Sequence, residues 1–322
     1  MPPDRVLERV TAAVVGRRRE AEILVAALDA GRHVVLEGPP GTGKSTLLRA
    51  VAAARGVGFA FVEGNAELTP ARLIGHFDPA RVLADGYDPS VFIAGPLIDA
   101  LRGGMLLYVE ELNRVPDETL NVLVTVLSER ELTVPRLGRV LAADGFRLIA
   151  AMNPFDTVGT ARISSTVHDR LCRLAFAYQS AADERAIVVR ALPPDDGASP
   201  VDPAWVGAFV EVVRRTRDHP DIEIGSSVRG AIDAAAMALS LARVRDASPA
   251  DVGLDAALVA LSGRIRLRPG TGRTPEDVIT GLWQGLVGGA ADGGGAAGKG
   301  AAPREGRRHP DRPSPRGPTP TG

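Results

Sequence analysis

The chain has 322 residues, 45% of them hydrophobic but only 4% aromatic, and a formal net charge of −1. That length holds one large domain or two ordinary ones around a mainly aliphatic core, and the balanced charge carries no global signature of nucleic-acid binding. The opening Met-Pro-Pro-Asp-Arg lacks the apolar core of a signal peptide, and no run approaches the roughly 18 apolar residues of a membrane span, so a cytoplasmic protein with no membrane insertion is expected.

A short helix is expected over 5–10, a turn at Val14-Val15-Gly16-Arg17, and an amphipathic helix over 18–30 with Ile23, Leu24, Ala27 and Leu28 at helical spacing. His33-Val34-Val35-Leu36-Glu37 reads as a buried strand, and 44–55 as a helix with Leu47, Leu48 and Val51 on its apolar side. A second strand falls at 59–62. Thr69 signals a helix start, 76–90 reads as a loop rich in Asp, Pro and Gly, and Gly95-Pro96-Leu97 opens a helix to 101. The buried strand 105–109 runs into Glu110-Glu111, and Pro116 starts a helix through 128. A β-hairpin is expected over 132–142, a central strand over 146–152 closed by Asn153-Pro154, and a last strand over 174–178. The single cysteine, Cys172, excludes an internal disulfide, and its apolar neighbours predict a small buried side chain. From 183 no strand pattern recurs; helices are expected near 182–191, 203–217, 227–243, 251–265 and 274–286, with a loop at 193–197. An α/β domain over 1–180 thus precedes a smaller helical domain over 181–287 and a Gly/Ala/Pro/Arg tail over 288–322, expected to be disordered.

Between the first strand and its helix stands Gly38-Pro39-Pro40-Gly41-Thr42-Gly43-Lys44-Ser45-Thr46, which fits G-x-x-x-x-G-K-[ST]. Strand, glycine loop and helix N-terminus together make a polyphosphate cradle: glycines let backbone N–H groups turn inward, and the helix end adds partial positive charge. Lys44 would reach the β- and γ-phosphates of ATP, and the Ser45 hydroxyl would ligate Mg²⁺. Lys44 is the only lysine before Lys299, so a chain that avoids lysine places one where a compact ammonium is needed.

Five further places carry candidate chemistry. Glu110 and Glu111 end a buried strand, where ligands of parallel sheets collect; one carboxylate would hold the Mg²⁺ shell and the other would activate water. Asn153 would hydrogen-bond the γ-phosphate or that water. Arg170 either pairs with Asp169 or projects into a neighbouring subunit as an arginine finger. Arg229 lies in the first turn of a helix capped by Ser226 or Ser227, an unfavourable place for a cation unless an anion comes to it. Asn113-Arg114 follows the acidic pair, with Arg114 either facing an adjacent subunit or capping a surface turn.

The ordered set GPPGTGKST, LLYVEELNR, IAAMNP, DRL and GSSVRG resembles an AAA+ ATPase over roughly residues 10–285, most closely the MoxR-type branch, with its G-P-L, E-x-N-R and G-[AS]-S-x-R signatures. The resemblance implies a parallel sheet in the order 5-1-4-3-2 and a helical lid. It assigns Lys44 and Ser45 to Walker A, Glu110 and Glu111 to Walker B, Asn153 to sensor 1, Arg170 to the arginine finger and Arg229 to sensor 2. The segment at Val14 and Val15 would pack on the adenine, and 132–142 and 64–94 would be insertions facing a central pore. One departure is Glu110, where the family carries aspartate: the added methylene moves the carboxylate outward by about 1.5 Å, and Mg²⁺ demands near-octahedral geometry. The resemblance further implies a hexameric ring that remodels or matures a protein client, with a von Willebrand factor A-domain partner. A nucleic-acid motor, supported by Arg136 and Arg139 at the hairpin tip, and a nucleotide-gated scaffold of gas-vesicle or chelatase type are the alternatives. The Arg-rich tail over 304–316 offers a surface to acidic partners or is simply a solvated tail.

Overall fold

The structure, a computed structural model, describes residues 2–154, 165–192 and 203–292. The loop expected at 193–197 and the tail from 293 lie outside the described residues.

Five strands build one parallel sheet: β1 (Val34–Glu37), β2 (Phe59–Glu63), β3 (Leu106–Glu110), β4 (Arg147–Met152) and β5 (Cys172–Ala175). Their order across the sheet is β2-β3-β4-β1-β5, which is 5-1-4-3-2 read from the other edge. Val34 pairs with Ile149 on one side and Cys172 on the other, so the ends of β1, β4 and β5 are in step. Both faces are covered, which is why the central strands read as unbroken apolar runs. Alternation divides them between two cores. Leu107, Val109, Leu148 and Ala150 meet Leu97, Ile98, Leu101, Leu120 and Leu123 on one face. Leu106, Tyr108, Leu36 and Ile149 meet Val10, Leu24, Leu47, Leu48 and Val51 on the other. The strand order together with helices on both faces is the α/β P-loop NTPase architecture that the resemblance implied.

Several expectations are corrected. β5 starts at Cys172 and ends at Ala175, earlier than the expected 174–178. Cys172 is exposed, because β5 is an edge strand of which only Leu174 is buried. The segment 76–90 is not a plain loop. Gly75–Phe77 and Phe92–Ala94 form an antiparallel ladder that brackets the helix Pro79–Asp85. Asp78 caps that helix, its carboxylate accepting from the Ala80 and Arg81 N–H groups, with Pro79 at the first position. The helix buries none of its own residues and so leaves no apolar periodicity to read. The hairpin Glu131–Val134 with Gly138–Leu141 forms close to where it was expected.

The helices Ala181–Ala191, Pro203–Asp218, Val228–Arg245, Gly253–Leu261 and Pro275–Asp292 surround a separate core of Val188, Phe209, Val213, Leu261, Ile279 and Trp283. Alanines at 231, 234, 235, 238, 256 and 257 let the third and fourth of these helices approach closely. This region is not purely helical: Ile222–Ile224 and Arg266–Leu267 form a short antiparallel ladder. Strands of three and two residues are too short to leave a periodic signal. The last helix also runs beyond its expected end at 286. Among the described residues no helix is long and apolar enough to cross a membrane.

Candidate functional site

The loop leaves the C-terminal end of β1 at the centre of the sheet. The Gly38 N–H donates to the Met152 carbonyl at 3.2 Å, tying the loop to β4. Gly41 is left-handed, with φ of 72°, and a Cβ there would overlap the Ser227 side chain of the helical region. Gly43, also left-handed, stands at the N-cap of the helix Lys44–Arg55 and closes its first turn with no side chain. The helix therefore begins with uncapped N–H donors, which is what an anion requires of it. Thr42 folds its Oγ1 back onto the Pro39 carbonyl at 2.9 Å.

Lys44 is buried at 9% exposure. Its Nζ donates to the Gly38 and Pro39 carbonyls, both at 2.8 Å, so the loop curls around the ammonium. Burial pulls its pKa down to about 8; Glu110 acts in the opposite direction, and Arg17 and Arg229 lower it further. An ammonium desolvated among neighbouring cations is stabilised by an incoming polyanion.

Ser45, one residue on, donates to Glu110 Oε1 at 2.9 Å and lies 3.1 Å from the Tyr108 hydroxyl. Tyr108 and Glu110 are two apart on β3 and so share a face. Burial holds the Tyr108 phenol well above its usual range. The longer Glu110 side chain places its carboxylate directly on the Ser45 hydroxyl. Among the described residues no group of three or more His, Cys, Asp or Glu stands together as a metal cage. Mg²⁺ takes one or two protein oxygens and completes its shell with waters and phosphates; the Ser45 hydroxyl and the Glu110 carboxylate, side by side, would supply the protein part.

Glu111 follows in a left-handed conformation, φ 54°, unusual for a side-chain-bearing residue and of the kind held at functional sites. Its carboxylate is 3.2 Å from Arg114 Nε, so Arg114 turns back onto the acidic pair. Asn153 directly follows Met152, whose carbonyl holds the loop, and thus stands beside the loop's first residue.

A cleft of about 320 Å³ opens between the two bodies. Val14, Val15, Gly41, Gly43 and Thr46 line it from the α/β side, and Ile187, Val228, Arg229 and Ile232 from the helical side. Its apolar wall of Val14, Val15, Ile187 and Ile232 suits a flat base, while the glycines and Arg229 suit phosphates. Gln179 closes the rim by donating from Nε2 to the Val15 carbonyl at 2.6 Å. A larger cleft of about 590 Å³ lies on the helical region beside Asp233, Met237 and Arg264, but it presents no phosphate-binding element and Arg264 there is paired with Asp233.

The structure therefore gathers Val15, Gly38, Pro39, Pro40, Gly41, Thr42, Gly43, Lys44, Ser45, Thr46, Glu110, Glu111, Asn153 and Arg229 at the carboxyl ends of the strands. Arg170 is not among them. It precedes Cys172, which pairs with the first residue of β1, at the opposite end of the sheet. β1 alone separates the two ends by about 10 Å. Arg170 is instead bonded to the Ser128 hydroxyl and the Thr166 carbonyl. The hairpin arginines are engaged as well: Arg139 pairs with Glu131, and Arg136 lies 3.7 Å over the Tyr87 ring. Sequence reasoning missed Arg17, Tyr108, Gln179 and Ser227 as members of the site. Only Tyr108 left a trace, as a phenol inside a strand otherwise free of polar atoms until Glu110.

Residues 33–171 match the family described as AAA domain (dynein-related subfamily). The uncharacterised protein YeaC of Bacillus subtilis is 29% identical over 266 residues, covering 75% of this chain and 80% of that protein. An uncharacterised protein of Staphylococcus haemolyticus is 35% identical over 155 residues, which cover 48% of this chain and 58% of that protein. Among solved structures, a Thermotoga maritima RuvB variant superposes with a TM-score of 0.50 at 17% identity, covering 80% of this chain and 70% of that one, a likeness of fold alone. The family match and the loop geometry support an AAA+ ATPase, and with it nucleotide binding.

Proposed function

We propose that this protein is a MoxR-type AAA+ ATPase that works as a hexameric ring and couples Mg²⁺-dependent ATP hydrolysis to remodelling or maturation of a protein client. The observation that carries this reading is the division of the candidate cations. Arg229 lines the cleft from the helical side and the loop that holds Lys44 lines it from the other through Gly41 and Gly43, while Arg170 sits at the far end of the sheet. Arg170 can serve a phosphate pocket only if that pocket belongs to another copy, and head-to-tail packing that closes makes a ring.

In this reading the uncapped first turn and Lys44 bind the β- and γ-phosphates, with Lys44 exchanging its two loop carbonyls for phosphate oxygens. Mg²⁺, when bound, neutralises charge on those oxygens. Ser45 and Glu110 orient its shell, and the Ser45 hydroxyl keeps its proton on Glu110 so that its lone pairs face outward. Glu111 turns from Arg114 to accept the proton of the attacking water, and Asn153 positions that water. Arg229 draws the helical region toward the loop. The client and any von Willebrand factor A-domain partner belong to the same proposal. The nucleic-acid alternative loses support because Arg136 and Arg139 are engaged within the chain.

Steady-state ATPase assays on purified protein test this. Arg170→Ala should lower turnover by about 10³-fold while leaving ATP binding nearly intact. Mixing Arg170→Ala with Lys44→Ala subunits should restore part of the activity, because some interfaces then pair an intact finger with an intact pocket. Normal hydrolysis by Arg170→Ala alone, or no recovery on mixing, would remove the finger in trans.

A further inference from the structure

Behind the phosphate loop lies an arginine outside every motif. Arg17 is 4% exposed, deeper than Lys44. Its Nη2 donates to two backbone carbonyls, Thr42 at 2.8 Å and Ala177 at 2.7 Å. Nη1 meets Glu20 Oε1 at 2.7 Å, which balances the charge, and the guanidinium carbon lies 5.1 Å from the centroid of the Phe176 ring. Three separate stretches of chain thus converge on one side chain: the turn before the helix Arg18–Asp29, the phosphate loop, and the segment that leads from β5 into the helix Ala181–Ala191.

We propose that Arg17 is a positioning residue that couples the phosphate loop to the hinge of the helical region. The proposal rests on the nucleotide-binding reading above. On the loop side, Thr42 stands between two left-handed glycines, Gly41 at φ 72° and Gly43 at φ 82°. Glycines on both sides leave the intervening peptides free to rotate. The bond between Thr42 and Gly43 is trans, as are all the described peptide bonds. A trans peptide points its carbonyl and its N–H in opposite directions. With the Thr42 carbonyl fixed on Arg17, the Gly43 N–H is therefore turned away from Arg17, and Gly43 is among the residues lining the cleft.

On the hinge side the Ala177 carbonyl is held by the same nitrogen. Two residues further, Gln179 donates to the Val15 carbonyl at 2.6 Å and accepts from Arg214 at 3.0 Å. A shift of the loop carbonyl is thus transmitted through Nη2 to the first residue beyond Phe176, and from there to the first helix of the helical region. Burial by itself does not explain the arrangement. The Arg17 Nε is buried with no hydrogen-bond partner, a cost that placement on two carbonyls imposes. A lysine offers one compact ammonium and cannot hold Glu20 and both carbonyls with the same fork geometry.

Hydrogen exchange on the full chain, with and without ADP, tests the coupling, alongside a fluorescent-ADP titration of the same samples. In the wild type, ADP should slow exchange at 38–46 and at 177–191. Arg17→Lys should bind ADP roughly tenfold more weakly, the loss of one charge-assisted donor. At saturating ADP it should still protect 38–46 but no longer protect 177–191. A variant that only lost stability would lose protection throughout the fold, with or without ADP. Arg17→Met, carried in parallel, removes the charge and should lose hinge protection in the same way; if it fails to fold, Arg17→Lys decides. ADP-dependent protection of 177–191 that persists in Arg17→Lys overturns the coupling. A wild type that binds no ADP overturns the nucleotide reading instead, so the two failures are distinct.

Discussion

Replacing Gly41 by alanine tests whether the phosphate loop and the helical region are pressed together as the structure has them. Two costs add. A Cβ at φ 72° is held in the left-handed region, worth about 1–2 kcal/mol. The same Cβ overlaps the Oγ and Cβ of Ser227, and forced overlap of this kind costs about 1–3 kcal/mol. Gly41→Ala should therefore lose roughly 3 kcal/mol in urea unfolding. Ser227→Gly alone should cost only a few tenths, since Ser227 sits at the N-cap of the helix Val228–Arg245 without making a cap hydrogen bond. In the double variant the overlap is gone and the backbone strain remains. The cycle should show a favourable coupling of at least about 1 kcal/mol. Arg229 lies two residues beyond Ser227, so fluorescent-ADP affinity should follow the same pattern, weak in Gly41→Ala and partly recovered in the double variant. Additivity within about 0.5 kcal/mol would mean that the two bodies do not touch at this point and that the cleft is open where it is drawn closed.

Acid should weaken the fold through His33. Burial, then Arg147 and Arg130, lower its pKa from 6.5 to about 4, while the Leu148 N–H bonded to Nδ1 at 2.8 Å is the fixed partner. The unfolded chain takes up this proton below pH 6.5 and the folded chain does not until about pH 4, so stability falls through that window by about 3 kcal/mol and is flat for this group below it. Urea titrations at several pH values should show a shallower acid limb in His33→Gln; parallel limbs in the two proteins would exclude the assignment. Glu184 is 2% exposed between Arg214 at 3.1 Å and Arg217 at 2.7 Å, so Glu184→Ala removes the counter-charge of both arginines and should cost about 3 kcal/mol in thermal or urea unfolding, whereas a loss under 1 kcal/mol would contradict the pairing. Tyr108→Phe removes a hydroxyl beside Ser45 while keeping the ring; it should raise the Mg²⁺ concentration needed for half-maximal ATPase several-fold with little change in metal-free ADP binding, and an unchanged Mg²⁺ dependence would show that Glu110 alone orients Ser45.

The amino-acid sequence by itself determined the phosphate loop, the sheet strands and the helical character of the second body, because each rests on local chemistry. A glycine turn between an apolar strand and a helix, and strands buried on both faces, leave short-range patterns that need no partner to be legible. Glu110 and Ser45 were legible for the same reason, each fixed by its place at an element's end. The tertiary structure decided what depends on distant stretches meeting. The helix Pro79–Asp85 buries nothing and the ladder of Ile222–Ile224 with Arg266–Leu267 is too short, so neither left a period. Cys172 has apolar neighbours in sequence, yet its strand lies at the sheet's edge, and edge position is a property of strand order. In the sequence Arg17 was only the end of the turn Val14-Val15-Gly16-Arg17; its partners, the Thr42 and Ala177 carbonyls, lie 25 and 160 residues away. Side-chain chemistry is written locally, but which backbone groups a buried guanidinium must satisfy is settled only when remote segments are packed against it.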